Sequence, residues 1–473
     1  MPKSLRSFVE QIDHQHPAEL AVVRRVVDPN NYDVTAVLAH LTLRKEFPMV
    51  LFESALDLLG SDSGMRIVSN VFAARERIAD ALDFPREKAG MPLSLEYARR
   101  EREQIPWHGI PREEAPVKEI VRLGDDIDVY RLPIVNHFEM DLSAVLTMGA
   151  AMKDPETGRY DVSFIKGFPK GPRRLGISIH SPHFDRILEH YERHDRPAPF
   201  AHIIGHHPAF YLGALALAPY GNDDYATIGS FLGEPLRLTP SETWGEDFLV
   251  PADAELIIEG EIPPGVREVV DPFGEVTRHY QAQCLRQALN VTAITHRRNA
   301  IFQDVFSGHQ GHWNLGGIPK EGSVYNALQR RFGNIVAVHM PHSGCGRFAC
   351  YVAIDKRIEG EAKRIGIAAL AETWAFNWVV LVDKHIDVFN EQDVLWAMMT
   401  NVDPKRDVDM IQNAYTLFDV ASGYTKLIID ATQPLDRPFP EMLKVPDDAM
   451  NRVDIDEWIE RRVPSSSSAG GPT

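Results

Sequence analysis

The sequence predicts an α+β protein in three parts: an N-terminal α/β part, a central antiparallel β barrel and a C-terminal α/β domain. Three observations carry this. From about 136 to 300 the chain consists of short β-rich runs broken by frequent turns, such as "SAVLTMGAAM", "RLGISIHS", "AELIIEGEI" and "ALNVTAITHR". After 320, strand-like and helix-like runs alternate, which is the α/β pattern. Before 100, amphipathic helical runs flank a buried strand. The 473 residues fit two or three domains, and a content of 44% hydrophobic and 25% charged residues is ordinary for a globular chain with sizeable cores.

Taken in order, residues 3–12 and 33–44 show apolar residues at helical spacing, and "FPMVLFES" reads as a buried strand. "NVFAARERIADALDF" (70–84) is amphipathic, with Pro85 as a stop signal. Recurrent prolines from about 106 to 135 suit a connecting segment. "KDPETGRYD" (153–161) signals a hairpin, with Pro and Gly between apolar runs. One helix, "HFDRILEHYERH", interrupts the strands. The α/β domain then follows as strand "NIVAVHMP", strand "FACYVAID", helix "GEAKRIGIAALAE", strand "WVVLVDK" and helix "EQDVLWAMMTN". The terminal "PSSSSAGGPT" is small and polar and is expected to be disordered.

A net charge of −17 argues against nucleic acid or an anionic membrane as the main partner, since both need a basic surface. No run has the length of a membrane span, and nothing N-terminal reads as a signal peptide. Cys284, Cys345 and Cys350 make no disulfide framework, so a cytoplasmic protein is expected. Neither a Gly-rich dinucleotide fingerprint nor a Walker loop is present, which removes the main support for nicotinamide and nucleotide-triphosphate chemistry. "GHQGHWNLGG" lacks the strand-to-helix context of a phosphate loop and reads as a folded surface loop. His180, His202, His206 and His207 read as structural groups, and "HIIGHH" is no zincin motif. His183 differs, because it opens a helix directly after "SP", where ring and helix amides can converge on an anion.

"REVVDPFGEVTRHY" (267–280) places Glu268, Asp271 and Glu275 around a Pro-Phe-Gly turn between two strand-like runs. Loops on a rigid sheet commonly carry catalytic groups. Pro272 and Gly274 are expected to fix the turn and hold Glu275 at a defined angle, partly buried. Burial would raise its pKa and suit it to general-acid work.

"DPFGE" followed by "TRHY" resembles the E-G-P-F-G-E-x-T-G-Y-Y signature of the UbiD family, decarboxylases and reversible carboxylases that use prenylated FMN. "DPETG" ahead of "DVSFIK", "DDYATIGSFLGEPLRL" followed by "LVPADAELIIEGEI", "THRRNAIF", "EGEAKRIGIAAL" and "DKHIDVFNEQDVLWAMMTNVDPKRDV" match family patterns in the same order. The resemblance implies an N-terminal α/β domain (1–115), an FMN-binding split β barrel (116–305), a linker helix region (306–328), a C-terminal α/β domain (329–460) and a disordered tail (461–473). It implies non-oxidative, reversible decarboxylation of an aromatic, heteroaromatic or conjugated α,β-unsaturated acid by covalent electrophilic catalysis. A glutamic acid is then the proton donor, and Glu275 falls on that position.

The family's active-site arginine is Lys166 here, which keeps the charge and loses the planar fork. The first glutamate of the signature falls on Val270, with Asp271 beside it, so the family's Glu-Arg-Glu network would become Asp271–Lys166–Glu275. The resemblance also implies a flavin phosphate held through a divalent metal (Mn2+ or Mg2+), with K+ nearby. Asp161 and His183 fall on two metal-ligand positions and the third falls on Arg237. Either Glu242 takes over as ligand or Arg237 binds the phosphate directly. Asn401 replaces an arginine on the potassium and phosphate side. The implied partners are a small-molecule carboxylic acid, a UbiX-type flavin prenyltransferase that supplies the cofactor, and further copies of the chain in a homodimer or higher oligomer. Val270, Arg237 and Asn401 keep open a non-catalytic flavin-binding accessory subunit, and an FMN oxidoreductase is a third reading with no visible nicotinamide site. Trp313 and Phe348 could stack on a substrate ring or serve as core aromatics.

Overall fold

The β-rich middle of the chain folds into a nine-stranded antiparallel sheet organised by one long strand, Cys284–His296. The computed structural model describes residues 2–141, 143–217, 221–270, 272–416 and 424–459. Along its length the long strand pairs with Leu256–Ile262, Arg174–Ser178, Arg267–Val270 and Ile120–Leu123. From edge to edge the main path runs Tyr160–Phe164, Gly149–Lys153, Ala198–Ile204, Leu256–Ile262, Cys284–His296, Arg174–Ser178, Lys166–Gly171. The two outermost strands are neighbours in sequence, separated by Ile165 alone. One residue spans less than about 4 Å, so the sheet has to curl until the end of one edge strand reaches the start of the other. At this seam Ile165 N donates to Met148 O at 3.1 Å, and Leu146 bridges to Gly167. No ladder joins the two edge strands among the described residues, so the expected barrel is an open, curled sheet and not a closed one.

The hairpin expected at 153–161 is present, with Lys153 opposite Tyr160. The interrupting helix is Pro182–Arg193, capped by the Ser181 hydroxyl, which accepts from Phe184 N. On the N-terminal side a four-stranded sheet has the order Leu20–Val23, Met49–Phe52, Arg66–Ser69, Ile301–Gln303. Its last strand arrives just after the long strand, and the two sheets share one continuous apolar core. The helix expected over 70–84 is shorter, Arg75–Ala81. Asn70 takes a left-handed conformation and its carbonyl accepts from the buried Arg77 guanidinium, which holds residues 70–74 out of the helix.

In the C-terminal part the strands are ordered Ile335–His339, Ala349–Ile354, Trp378–Asp383, Lys426–Asp430, Val408–Ile411. The middle three are parallel, the connecting helices are Glu361–Glu372 and Glu391–Asn401, and both faces carry apolar clusters. The strands Val408–Ile411 and Lys426–Asp430 are additions to the sequence reading. From Gln433 the chain forms a second unit, described through 459, with short helices Asp447–Arg452 and Ile455–Trp458. The tail expected at 461–473 lies outside the described residues. No described helix is long and apolar enough to cross a membrane.

Between the curled sheet and the C-terminal sheet runs the 23-residue helix Gln310–Phe332. Its first turns are the stretch "GHQGHWNLGG" that read as a surface loop, and Trp313, Leu315, Gly316 and Gly317 are buried. Glycine costs a helix about 1 kcal/mol against alanine, and here tertiary packing overrides that propensity. At Gly322 an added Cβ would sit 2.0 Å from Ser94 O and 2.8 Å from Ala98 Cβ, because the helix Met91–Arg100 packs directly on this backbone. Gly322→Ala is therefore expected to destabilise the protein by about 1–3 kcal/mol through overpacking, opposite in sign to the usual gain from Gly→Ala in a helix. A melting curve with an unchanged or raised Tm would rule out this close helix contact.

Candidate active site

Lys166 opens an edge strand directly after the seam, and Glu275 opens the turn that follows the short strand Phe273–Gly274. The Pro-Phe-Gly segment is not itself the bend. Phe273–Gly274 is extended and pairs with Tyr280–Gln281. The chain reverses over 275–279, closed by Glu275 N donating to His279 O at 2.9 Å, with Arg278 at φ 60°. Trp313 braces this turn by donating from Nε1 to Val276 O at 3.0 Å, while the Arg278 guanidinium lies 4.6 Å from its ring centre. Trp313 is thus occupied with the turn, whereas Phe348 lies in a cavity wall.

Lys166 Nζ donates to Glu275 Oε1 at 2.8 Å and to Gly274 O at 3.1 Å, and sits 4.4 Å from the Phe273 ring centre. Glu275 Oε2 accepts from Val276 N at 3.0 Å. The raised carboxyl pKa expected for Glu275 is reversed. Burial pushes it up, but the Lys166 charge and the hydrogen bonds from Lys166 and Val276 N to the carboxylate pull it down to about 2. For Lys166 burial prevails and lowers the pKa, with Glu275 opposing. Asp271, the expected third member, lies outside the described residues. Val270 is buried in the strand Arg267–Val270. A carboxylate that the sequence reading missed, Asp141, also attracts Lys166; its own pKa is raised by burial, and its Oδ2 accepts from Phe138 N at 3.2 Å.

The pair lies on the wall of a cavity of about 280 Å3 whose apolar lining includes Phe164, Ile165, Leu215, Val305 and Leu315. Its other polar groups include His180, His312, Lys320 and Arg347. His312 Nδ1 accepts from Gly308 N at 3.2 Å, which leaves the ring proton on Nε2, and burial holds the imidazole neutral. Burial lowers Lys320 to about 7 and also lowers Arg347. Of these, His180 had read as structural, and its Nε2 pairs with Ser178 Oγ at 3.0 Å. For His312 and Lys320 the signal was their spacing with Gly316, four residues apart along one helical face once the stretch is recognised as helix, whereas Arg347 lies outside that helix and carried no such signal. His202, His206 and His207 are fully buried and held neutral by burial.

The expected cofactor-side residues divide. Asp161 and His183 meet, with His183 Nδ1 3.1 Å from Asp161 Oδ1, beside a small pocket of about 10 Å3. Asp224 lines the same pocket, and burial, followed by the Asp161 carboxylate, pushes its pKa well up. The hydrogen bond to Asp161 raises the His183 pKa more than burial lowers it, so its ring is directed at the protein's own carboxylate and not at a bound anion. Arg237 pairs instead with Asp253 at 3.4 Å and donates to Glu114 O at 3.3 Å. Glu242 is held by Arg112 at 2.8 Å and Lys118 at 3.3 Å. Asn401 donates to Ala431 O at 2.9 Å. Among the described residues no three carboxylate, imidazole or thiol groups converge as a metal set, so Asp161, His183 and Glu242 do not fit a three-ligand divalent site as they stand.

Three successive segments match family models of 3-octaprenyl-4-hydroxybenzoate carboxy-lyase: the N-terminal domain over 13–91, the Rift-related domain over 109–310 and the C-terminal domain over 313–431. The chain belongs to the UbiD family. As a UbiD protein it is a carboxy-lyase. The phenolic acid decarboxylase of Sedimentibacter hydroxybenzoicus is 28% identical over 485 residues, covering 97% of each chain. The UbiD-class enzyme HmfF from Pelotomaculum thermopropionicum, solved in complex with FMN, superposes with a TM-score of 0.88 at 31% identity, covering 96% of this chain and all of that one. An evolved dimeric form of HmfF in complex with prFMN gives 0.85 at 30% identity, covering 97% of this chain and 100% of that one.

Lys166→Met tests the electrostatics of this UbiD site. In the wild type the folded pKa of Glu275 is depressed, so its contribution to stability is present above the unfolded value of about 4.5 and fades as pH falls toward 2. Without Lys166, burial acts nearly alone and the folded pKa rises above the unfolded one, so stability is lost as pH climbs through the new value. The stability gap between wild type and variant should widen by about 3 kcal/mol between pH 4 and pH 7, read from denaturant midpoints. A gap that is flat over this range would show that the two charges are not coupled.

Proposed function

We propose that this UbiD protein is a prenylated-FMN-dependent, non-oxidative and reversible decarboxylase of an aromatic, heteroaromatic or conjugated α,β-unsaturated carboxylic acid. The observation that carries this is the Lys166–Glu275 pair, 2.8 Å apart, on the wall of an apolar cavity with additional cations. Apolar walls with few polar groups suit a flat ring system, and the HmfF complexes supply the precedent for FMN and prFMN. In this reading the curled sheet is the flavin-binding split barrel and the helix Gln310–Phe332 is the linker. Prenylated FMN would supply an electrophilic carbon and a sink for the electron pair left when carbon dioxide departs.

The chain's own groups do the rest. Lys166 Nζ orients the substrate carboxylate. That carboxylate competes with Glu275 for Lys166 and adds a like charge nearby, so burial prevails and Glu275 takes up a proton from solvent. Carbon dioxide leaves as a neutral molecule, and the electron pair that it leaves behind shifts from the carboxylate to the substrate carbon, so nothing competes any longer for Lys166. Glu275 then transfers its proton to the substrate carbon and returns to Lys166 as a carboxylate. The substrate has exchanged carbon dioxide for a proton. His312, neutral and protonated on Nε2, serves as a hydrogen-bond donor into the cavity. No step runs through a metal.

The incomplete metal set favours one second reading, a flavin-binding accessory subunit without turnover. Self-association belongs to the main proposal. Trp378, Leu395, Trp396 and Met399 leave apolar surface exposed on the C-terminal part, and the molar mass in solution reads it out.

Protein co-produced with a flavin prenyltransferase should carry a species of the mass of prenylated FMN and release carbon dioxide from an unsaturated acid. Glu275→Gln should retain that species and lose about 10²–10⁴-fold in kcat. Plain FMN with no turnover of any acid would instead support the accessory reading.

A further inference from the structure

We propose that the acid bound in this cavity carries a second anionic group, in the simplest case a second carboxylate, and that Arg347 and Lys320 hold it. The inference rests on the decarboxylase reading of the same cavity and names its substrate class. The reaction consumes one carboxylate, and Lys166, shared with Glu275, is the cation assigned to it. Lys320 and Arg347 are left over. Lys320 comes from the helix Gln310–Phe332 and Arg347 from the turn ahead of the strand Ala349–Ile354, and both line the cavity. Lys320 Nζ donates to Gly316 O at 3.0 Å, and Arg347 Nε is buried with no hydrogen-bond partner. Among the described residues neither has a carboxylate at ion-pair distance.

The backbone is shaped to hold both cations. At Gly316 an added Cβ would lie 2.4 Å from Arg347 Nε and 3.0 Å from its Nη2, so the missing side chain is the space the guanidinium fills. The carbonyl of the same glycine holds Lys320. One glycine thus sets both cations on one side of the cavity. Burying cations without counter-charge is unfavourable, and burial is the main influence lowering the pKa of each. An anion from solution relieves that cost, and a planar carboxylate matches the guanidinium fork.

The phosphate of the flavin is the other anion of suitable chemistry. Arg347 is near enough to Glu275 and Lys166 for their charges to act on one another. A flavin whose reacting ring faces Glu275 carries its phosphate at the far end of the ribityl chain, away from this pair. The substrate is therefore the source of the anion.

The test is calorimetric binding of benzoate and of the three benzenedicarboxylate isomers to the FMN-loaded protein, which has no turnover to confound it. At least one diacid should bind about tenfold more tightly than benzoate, in keeping with one additional charge-assisted contact. Arg347→Met and Lys320→Met should each shrink that preference by weakening the diacid more than benzoate, while leaving FMN content unchanged. Benzoate binding as tightly as every diacid, or a preference that survives both substitutions, overturns the inference. Loss of FMN from Arg347→Met also overturns it, because the pair would then hold the cofactor phosphate. Failure of the underlying reading looks different. It would appear as diacid binding in the FMN-loaded protein with no carbon dioxide released by the prenylated-FMN form.

Discussion

Neither Lys166 nor Glu275 could occupy its place without the other. Their side chains are 16% and 10% exposed, and an isolated charge at that depth would shift its pKa until it became neutral. As a pair they stay ionised, with the carboxyl held at about 2. The surrounding structure serves that contact. The seam of the curled sheet delivers Lys166, the 275–279 turn delivers Glu275, and Trp313 with Arg278 fixes the turn against the long helix.

In the proposed mechanism the proton donor rests as a carboxylate and is unready, and the geometry turns this into control. The acid becomes protonated only when something else claims the lysine, and in a carboxy-lyase the natural claimant is the substrate's carboxylate. Proton loading and substrate binding are then one event. The neutral His312 beside the pair keeps its single proton on Nε2 and so adds direction without adding charge.

Much of the architecture was legible in the sequence because periodicity and turn chemistry are local. The hairpin at 153–161, the helix after "SP" and the C-terminal alternation of strands and helices follow from the spacing of apolar residues and the placement of Pro and Gly. The misreadings have a common cause, which is that tertiary contacts overrode local preference. Glycines that argue for a loop at 311–317 are there because Arg347 and neighbouring backbone press on a helix. The general rule that burial raises a glutamate pKa failed at Glu275, since it ignores a lysine 109 positions away in the chain. The ordered motifs led to the family, and with it to Lys166 and Glu275. They gave no sign that Glu242 is held by Arg112 and Lys118, or that Asp141 stands within the field of Lys166, because those pairings are set by folding and not by spacing.

Ile165 is the sole residue between the two edges of the curled sheet, and Lys166 is its immediate neighbour. The position of the ammonium group is therefore tied to the circumference of the whole sheet. The sheet already contains irregularities, at Glu259/Gly260 and at Pro169/Gly171, that shift one ladder against the next. Adding or removing such a bulge on any strand of the path would alter how the edges come together and so move Nζ relative to Glu275. Distant strand substitutions with no contact to the cavity can in this way act as fine adjustment of the Glu275 proton affinity, which gives this scaffold a route to new reactivity that replaces no side chain of the proposed site.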